Sequence, residues 1–171
     1  MFDVKKLLKF NCILILILLV SMRLFPAQKR AFTIDDLYRL KGISTPEISP
    51  DGTKILFSVT GYNLKKGSSN SDIFLLNLAN EKLRRLTYDK KSDSNPFWSA
   101  DGQKIYFISG REEGGQLWVM DAGGGEARKV TDFYSGISSP ATTKGNNIFF
   151  TSSVFPECLE AKECNKCNKE T

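Results

Sequence analysis

One thirteen-residue string occurs twice in this chain, and that recurrence constrains the fold more than any other feature. Thr45-Pro46-Glu47-Ile48-Ser49-Pro50-Asp51-Gly52-Thr53-Lys54-Ile55-Leu56-Phe57 aligns with Asn95-Pro96-Phe97-Trp98-Ser99-Ala100-Asp101-Gly102-Gln103-Lys104-Ile105-Tyr106-Phe107, an offset of 50 residues. A second apolar run follows in each copy, Asp72-Ile73-Phe74-Leu75-Leu76-Asn77-Leu78 and Gln116-Leu117-Trp118-Val119-Met120-Asp121. Each copy closes on a short segment, Arg85-Leu86-Thr87 or Lys129-Val130-Thr131, and these ends lie 44 residues apart. A third copy starts at Ser139-Pro140 and runs through Ile148-Phe149-Phe150 without the Trp or the Asp-Gly. Repeats of about 40 to 50 residues are the mark of solenoids and propellers.

Each copy supplies four short extended segments. Asp51-Gly52 and Asp101-Gly102 are read as the tight turns joining the first two, because both residue types accept positive φ. Ile55 to Phe57 and Ile105 to Ile108 show little in-and-out alternation, which suits strands covered on both faces. The predicted fold is therefore all-β, an incomplete β-propeller of about two and a half four-stranded blades. The blades fall at residues 43–89, 94–133 and, in part, 137–156, followed by a cysteine-containing tail or insertion at 157–171.

Ahead of the blades, Lys5, Lys6 and Lys9 precede an apolar run from Phe10 to Val20, with Pro26-Ala27 beyond it. This is the layout of a signal peptide over residues 1–27, implying export to the periplasm or outside. The apolar run is short for a membrane span of about 20 residues. An uncleaved segment would be the chain's one tie to a membrane. Residues 28–42 read as a lead-in, with Thr33 and Asp36 capping a short helix. Its Ile34, Leu37 and Leu40 would share the face packed on the propeller edge, and Gly42 would end it.

Charge excludes one class of partner. The formal net charge is +5, of which the first 27 residues hold +3. The remaining basic pairs, among them Lys65-Lys66, Arg84-Arg85 and Lys90-Lys91, are isolated and read as solvated surface, with no nucleic-acid footprint. Arg111-Glu112-Glu113 reads likewise as a solvated loop cluster in preference to a site for a substrate amine. Gly123-Gly124-Gly125 has no following Lys-Ser or Lys-Thr and is a hairpin, not a phosphate cradle.

The lead-in Ala31-Phe32-Thr33-Ile34-Asp35-Asp36-Leu37 and the string Ile43-Ser44-Thr45-Pro46-Glu47-Ile48-Ser49-Pro50-Asp51-Gly52 resemble the start of the propeller domain in prolyl-oligopeptidase-family serine peptidases, of the secreted bacterial dipeptidyl and acylaminoacyl peptidase type. Ser152-Ser153-Val154-Phe155-Pro156-Glu157-Cys158, with Glu163-Cys164-Asn165 after it, resembles a third-blade insertion of that subgroup. The Ser-Pro-Asp-Gly and Leu-Thr elements are also similar to the periplasmic Tol propeller and its scaffold role. The peptidase resemblance implies a propeller that gates a catalytic cavity and positions peptide ends for an α/β-hydrolase domain.

No catalytic residue is assigned within the chain itself. It contains no histidine, so a Ser-His-Asp triad lacks its base, and Gly136-Ile137-Ser138-Ser139-Pro140 misses the Gly-x-Ser-x-Gly elbow by its last residue. The expectation is a piece of a longer peptidase, truncated before the hydrolase domain, that meets peptide substrates through that domain. Its open blade faces offer a second route, self-association. No cofactor is implied. Cys164-Asn165-Lys166-Cys167 lacks the further ligands for zinc, so no metal is assigned. In an oxidising compartment a Cys158–Cys164 disulfide is the leading reading, with Cys158–Cys167 the alternative that sequence leaves open.

Overall fold

The computed structural model describes residues 30–143, 147–158 and 166–167; the signal peptide expected over residues 1–27 lies outside them. From Ile34 onward the chain forms one compact unit. A short helix α1 (Ile34–Arg39) leads into two four-stranded antiparallel sheets with strands in sequence order. Blade 1 comprises β1 (Gly42–Ile48), β2 (Lys54–Asn63), β3 (Ser68–Asn77) and β4 (Leu83–Arg85). Blade 2 comprises β5 (Asp93–Trp98), β6 (Lys104–Ser109), β7 (Gln116–Asp121) and β8 (Arg128–Lys129). The third copy yields one antiparallel pair, β9 (Ser138–Thr142) with β10 (Ile148–Thr151).

The two blades meet through opposite faces of adjacent strands. Blade 1 contributes Leu56, Ile73 and Leu75; blade 2 contributes Trp98, Ile105, Phe107 and Met120, and Leu86 from the connecting segment completes the core. Leu56, Ile73, Ile105 and Phe107 are fully buried, each contributing about 1.5–3 kcal/mol by removal from water. A second core of Phe97, Leu117 and Ile137, bordered by Tyr106, Ile148 and Phe150, joins blade 2 to the third pair. The other face of blade 1, with Ile55, Phe57, Phe74 and Leu76, is only partly covered, and its Phe57 and Phe74 rings stack at 6.1 Å.

The inner strand of each copy carries the same irregularity. Register slips by one residue between Ser44 and Glu47 and between Ser94 and Phe97, each time at a residue before proline. Thr45, Asn95 and Ser139 take φ of 50°, 49° and 49°, a left-handed conformation that is costly for a β-branched residue such as Thr45. Three prolines, which have no N–H to give to a ladder, sit where pairing is already interrupted.

Two local expectations are corrected. Asp51-Gly52 and Asp101-Gly102 do lie in tight turns, closed by Gly52 N–H to Ser49 O at 2.8 Å and Gly102 N–H to Ser99 O at 2.9 Å, but only the glycines (φ 71° and 69°) are left-handed and the aspartates are not. Ser49 N–H to Lys54 O at 2.9 Å joins the strand ends. The lead-in helix does not bury its apolar face. Ile34, Leu37 and Leu40 are 63%, 50% and 58% exposed, and Gly42 opens β1 instead of capping the helix. The helix is held to β2 by an edge-on contact of Tyr38 with Tyr62, 6.5 Å between centroids.

Candidate functional site

The two blades differ at one end. β2 and β3 are ten residues each, whereas β6 and β7 are six, so the blade 1 hairpin projects past its neighbour. Thr60 and Ser71 hydroxyls pair across it at 2.7 Å. At its tip Asn63 caps a 3-10 turn (Leu64–Lys66), its side chain accepting from Lys66 N–H at 3.1 Å, and Gly67 reverses the chain with φ 57°. Strand register puts Val59 opposite Asp72 and Gly61 opposite Asn70, and Phe74 opposite Arg85. These residues share the face turned away from blade 2.

Beneath the projecting hairpin lies an open hollow of about 460 Å³ whose charged lining is Lys41, Lys66, Lys90, Arg85 and Asp72. Arg85 Nη2 donates to Asp72 Oδ2 at 2.7 Å and its Nε to Thr87 O at 2.9 Å, while its guanidinium lies 4.6 Å from the Tyr88 ring centre. Asp72 thereby neutralises Arg85. The three lysine ammonium groups have no anionic partner among the described residues.

The corresponding place on blade 2 is filled. Arg111 Nη2 donates to Asp93 Oδ2 at 2.9 Å, and its Nε stands 3.5 Å from Asp89 Oδ2. The guanidinium lies 4.7 Å from the Trp118 ring centre, an arrangement in which charge, hydrogen bonds and the ring quadrupole all favour the cation. Asp93 is fully buried. Arg111 is thus no member of a solvated cluster. Glu112 is drawn off to Lys129 Nζ at 2.6 Å, which also meets Asp132 at 2.9 Å, and these two hydrogen bonds raise the Lys129 pKa.

The motif residues singled out from sequence hold the opposite end of the sheets. Ser49 Oγ donates to Asp51 Oδ1 at 2.6 Å, and the same oxygen accepts Thr53 N–H at 3.0 Å. Ser99 Oγ and Gln103 N–H serve Asp101 Oδ1 at 2.5 and 3.0 Å. Hydrogen bonds to the charged form hold both carboxyls below their usual range, the Ser49 and Ser99 hydroxyls contributing most. The Leu-Thr ends are likewise structural: Thr87 Oγ1 accepts Ile73 N–H at 3.0 Å and Thr131 Oγ1 accepts Leu117 N–H at 2.9 Å. The leading disulfide reading is corrected, because buried Cys158 is bonded to Cys167 across a Cα separation of 5.6 Å, within the span a disulfide bridges. Cys164 lies outside the described residues.

Residues 34–157 match the family model of the TolB β-propeller domain, PD40. The chain belongs to the PD40 propeller family. An uncharacterized peptidase, YuxL of Bacillus subtilis, is 34% identical over 128 residues, covering 74% of this chain and 20% of the relative. The chain thus spans about a fifth of that curated relative. Among solved structures, the putative TolB of Agrobacterium tumefaciens superposes with a TM-score of 0.55 at 26% identity, covering 66% of this chain and 39% of that one. An acylaminoacyl peptidase of Pyrococcus horikoshii superposes with a TM-score of 0.58 at 23% identity, covering 68% and 18%; that likeness concerns the fold. This PD40 chain is therefore related both to TolB and to the propeller domains of peptidases.

Two features of this PD40 chain, the Arg111 ion pair and the blade 1 hollow, were not announced by its motifs. Nothing local to Arg111 marks it as half-buried and ion-paired. The usable signals were nonlocal, an aspartate opening β5 and a Trp on β7, and only the sheet brings them together. The hollow did leave a trace, since the repeat offset falls from 50 at the inner strands to 44 at the outer ones. Those six residues are the amount by which the blade 1 hairpin, 54–77, exceeds its blade 2 counterpart, 104–121.

Proposed function

We propose that this PD40 segment is the non-catalytic propeller portion of an exported serine peptidase, gating access and positioning peptide for hydrolytic groups supplied from outside these 171 residues. The observation that carries the reading is the 34% identity to a peptidase over a stretch spanning both blades. The sequence supports the division of labour: with no histidine, a serine nucleophile here would have no imidazole base. Export is part of the proposal and rests on the basic, then apolar, then Pro26-Ala27 order of the first residues.

A second reading, a scaffold that binds other envelope proteins, is favoured by the match to the TolB domain and the 26% identity to a putative TolB. Immunoprecipitation from the native host with antibody to residues 34–157, followed by labelling with a fluorophosphonate probe, separates the two. The peptidase reading expects a probe-reactive serine in the captured material, on the same polypeptide or tightly held to it, with dipeptidyl- or acyl-peptide cleavage. Recovery of the PD40 protein with no reactive serine and no peptide cleavage rejects it in favour of the scaffold.

A further inference from the structure

Blades 1 and 2 share one register at the end where the Asp-Gly turns lie, so equivalent positions can be compared pair by pair. Lys54 faces Asn77 across β2 and β3 as Lys104 faces Asp121 across β6 and β7. The outer strands then pair alike, Leu75 with Arg84 and Val119 with Arg128, which makes Lys82 the counterpart of Glu126. Blade 2 therefore carries two cations and two acids here, and its Lys104 Nζ meets Asp121 Oδ1 at 3.2 Å. Blade 1 keeps both cations and replaces both acids, one by an amide and one by a third cation.

These blade 1 residues line a recess of about 330 Å³ whose opposite wall is Ala122 and Gly123 of blade 2. Leu75, part of the core between the blades, forms its floor. It thus lies at the seam of two complete four-stranded sheets. Asn77 Oδ1 accepts Ala79 and Asn80 N–H at 2.9 and 3.3 Å, and Asn80 Oδ1 accepts Lys82 N–H at 3.1 Å. Both amide oxygens are committed to their own turn, which leaves the NH2 groups to donate. Arg84 Nη2 crosses the seam to Gly123 O at 2.9 Å, and a Cβ on Gly124 would stand 3.0 Å from that nitrogen. The glycine hairpin is accordingly a wall that makes room for Arg84; the donors are side chains of blade 1. Two acids lie near without lining the recess. Asp51 stands 3.8 Å from Lys54 but is hydrogen-bonded within its own turn, and Glu81 sits exposed at a left-handed turn position, φ 54°. The lining side chains include three cations, two amide donors and no carboxylate.

We propose that this seam recess binds a phosphate-type oxyanion, which brings to blade 1 the two negative charges that Asp121 and Glu126 bring to blade 2. Like charges gathered in a cleft concentrate counter-ions, and the guanidinium of Arg84 matches the oxygens of a phosphoryl group. Free phosphate and a phosphomonoester share this chemistry. The inference does not depend on the peptidase reading and holds equally for a scaffold.

The test titrates the full chain with inorganic phosphate, glycerol 3-phosphate and acetate, at one ionic strength held by chloride, and reads the amide chemical shifts of Asn80, Lys82 and Gly123. Phosphate should shift these amides with about tenfold higher affinity than acetate. Binding of glycerol 3-phosphate as well supports a phosphoryl group on a larger molecule, and binding of phosphate alone supports the free ion. Asn77→Asp/Lys82→Glu, which copies the blade 2 pattern, should weaken phosphate at least about tenfold, and the milder Lys82→Gln about threefold, with shifts in β5–β8 unchanged. Lys65→Gln, at the far tip of the β2–β3 hairpin, should bind as the parent does. Acetate binding as tightly as phosphate, an unaltered affinity in Lys82→Gln and the double variant, or phosphate shifts of equal size at Lys65 and Lys66 would each overturn the proposal.

Discussion

Among the described residues, Arg111 and Asp93 form the one ion pair whose acid is wholly withdrawn from solvent, 2.9 Å apart and 18 residues distant in sequence. It ties the entry to β5 to the loop between β6 and β7. Arg111→Leu strands a buried carboxylate and should lower unfolding free energy by about 3–5 kcal/mol. The double variant Arg111→Leu/Asp93→Asn should recover part of that loss, and urea titrations of the single and double variants give the coupling. Additive losses would show that the pair is not a unit.

Glycines at the same φ should respond very differently to a methyl group. Gly52 has φ 71° with nothing within 4 Å of a would-be Cβ, so Gly52→Ala should cost about 1–2 kcal/mol of backbone strain alone. Gly136 also has φ 71°, but its Cβ would sit 2.6 Å from Gly115 N and 3.0 Å from Gly114 Cα. Gly136→Ala must separate two backbones joined by Ile137 N–H to Gly115 O at 2.7 Å. Its thermal midpoint should fall well below that of Gly52→Ala.

Stability should be lost on acidification through the turn carboxylates. Asp51 and Asp101 are held below their usual range in the folded state, so the unfolded chain takes up their protons first. Their contribution is complete above the ordinary carboxylate pKa of about 4 and is lost as pH falls through the depressed folded values. Asp51→Asn/Asp101→Asn should lower the thermal midpoint at pH 7 and flatten its decline between about pH 5 and pH 2. A decline as steep as the parent's would place the acid-sensitive groups elsewhere.

Non-reducing peptide mapping should recover Cys158 joined to Cys167, a sequence separation of 9. Opening so short a loop by Cys167→Ser should cost about 2–3 kcal/mol, read as a shift of the denaturant midpoint. Recovery of Cys158 joined to Cys164 instead would refute the pairing.

What could be read from the sequence follows from how far each feature's cause extends along the chain. Asp51-Gly52 and Thr87 act on groups within 14 residues, and their strings recur, so the blades and their order were legible. The disulfide partner of Cys158 was not, because Cys164 and Cys167 are both within reach by spacing. The helix face of Ile34, Leu37 and Leu40 has the right periodicity yet stays exposed, since periodicity predicts a face and not what covers it. Arg111 was misjudged as solvated for the same reason: its environment is assembled from Asp89, Asp93 and Trp118, none of them adjacent in sequence.

The sequential strand order bears on how the molecule comes into being. Each ladder from β1 to β4 closes between neighbours in the chain, and the last residue it needs is Arg85. Once Arg85 has left the ribosome a whole sheet is free to form, while Ile105, Phe107 and Met120, which cover its inner face, are still to emerge. Synthesis at about 5–20 residues per second is slow beside hairpin formation in about 1–10 μs. Blade 1 therefore has seconds in which to stand as the surface on which blade 2 condenses, and the order of translation becomes the order of assembly.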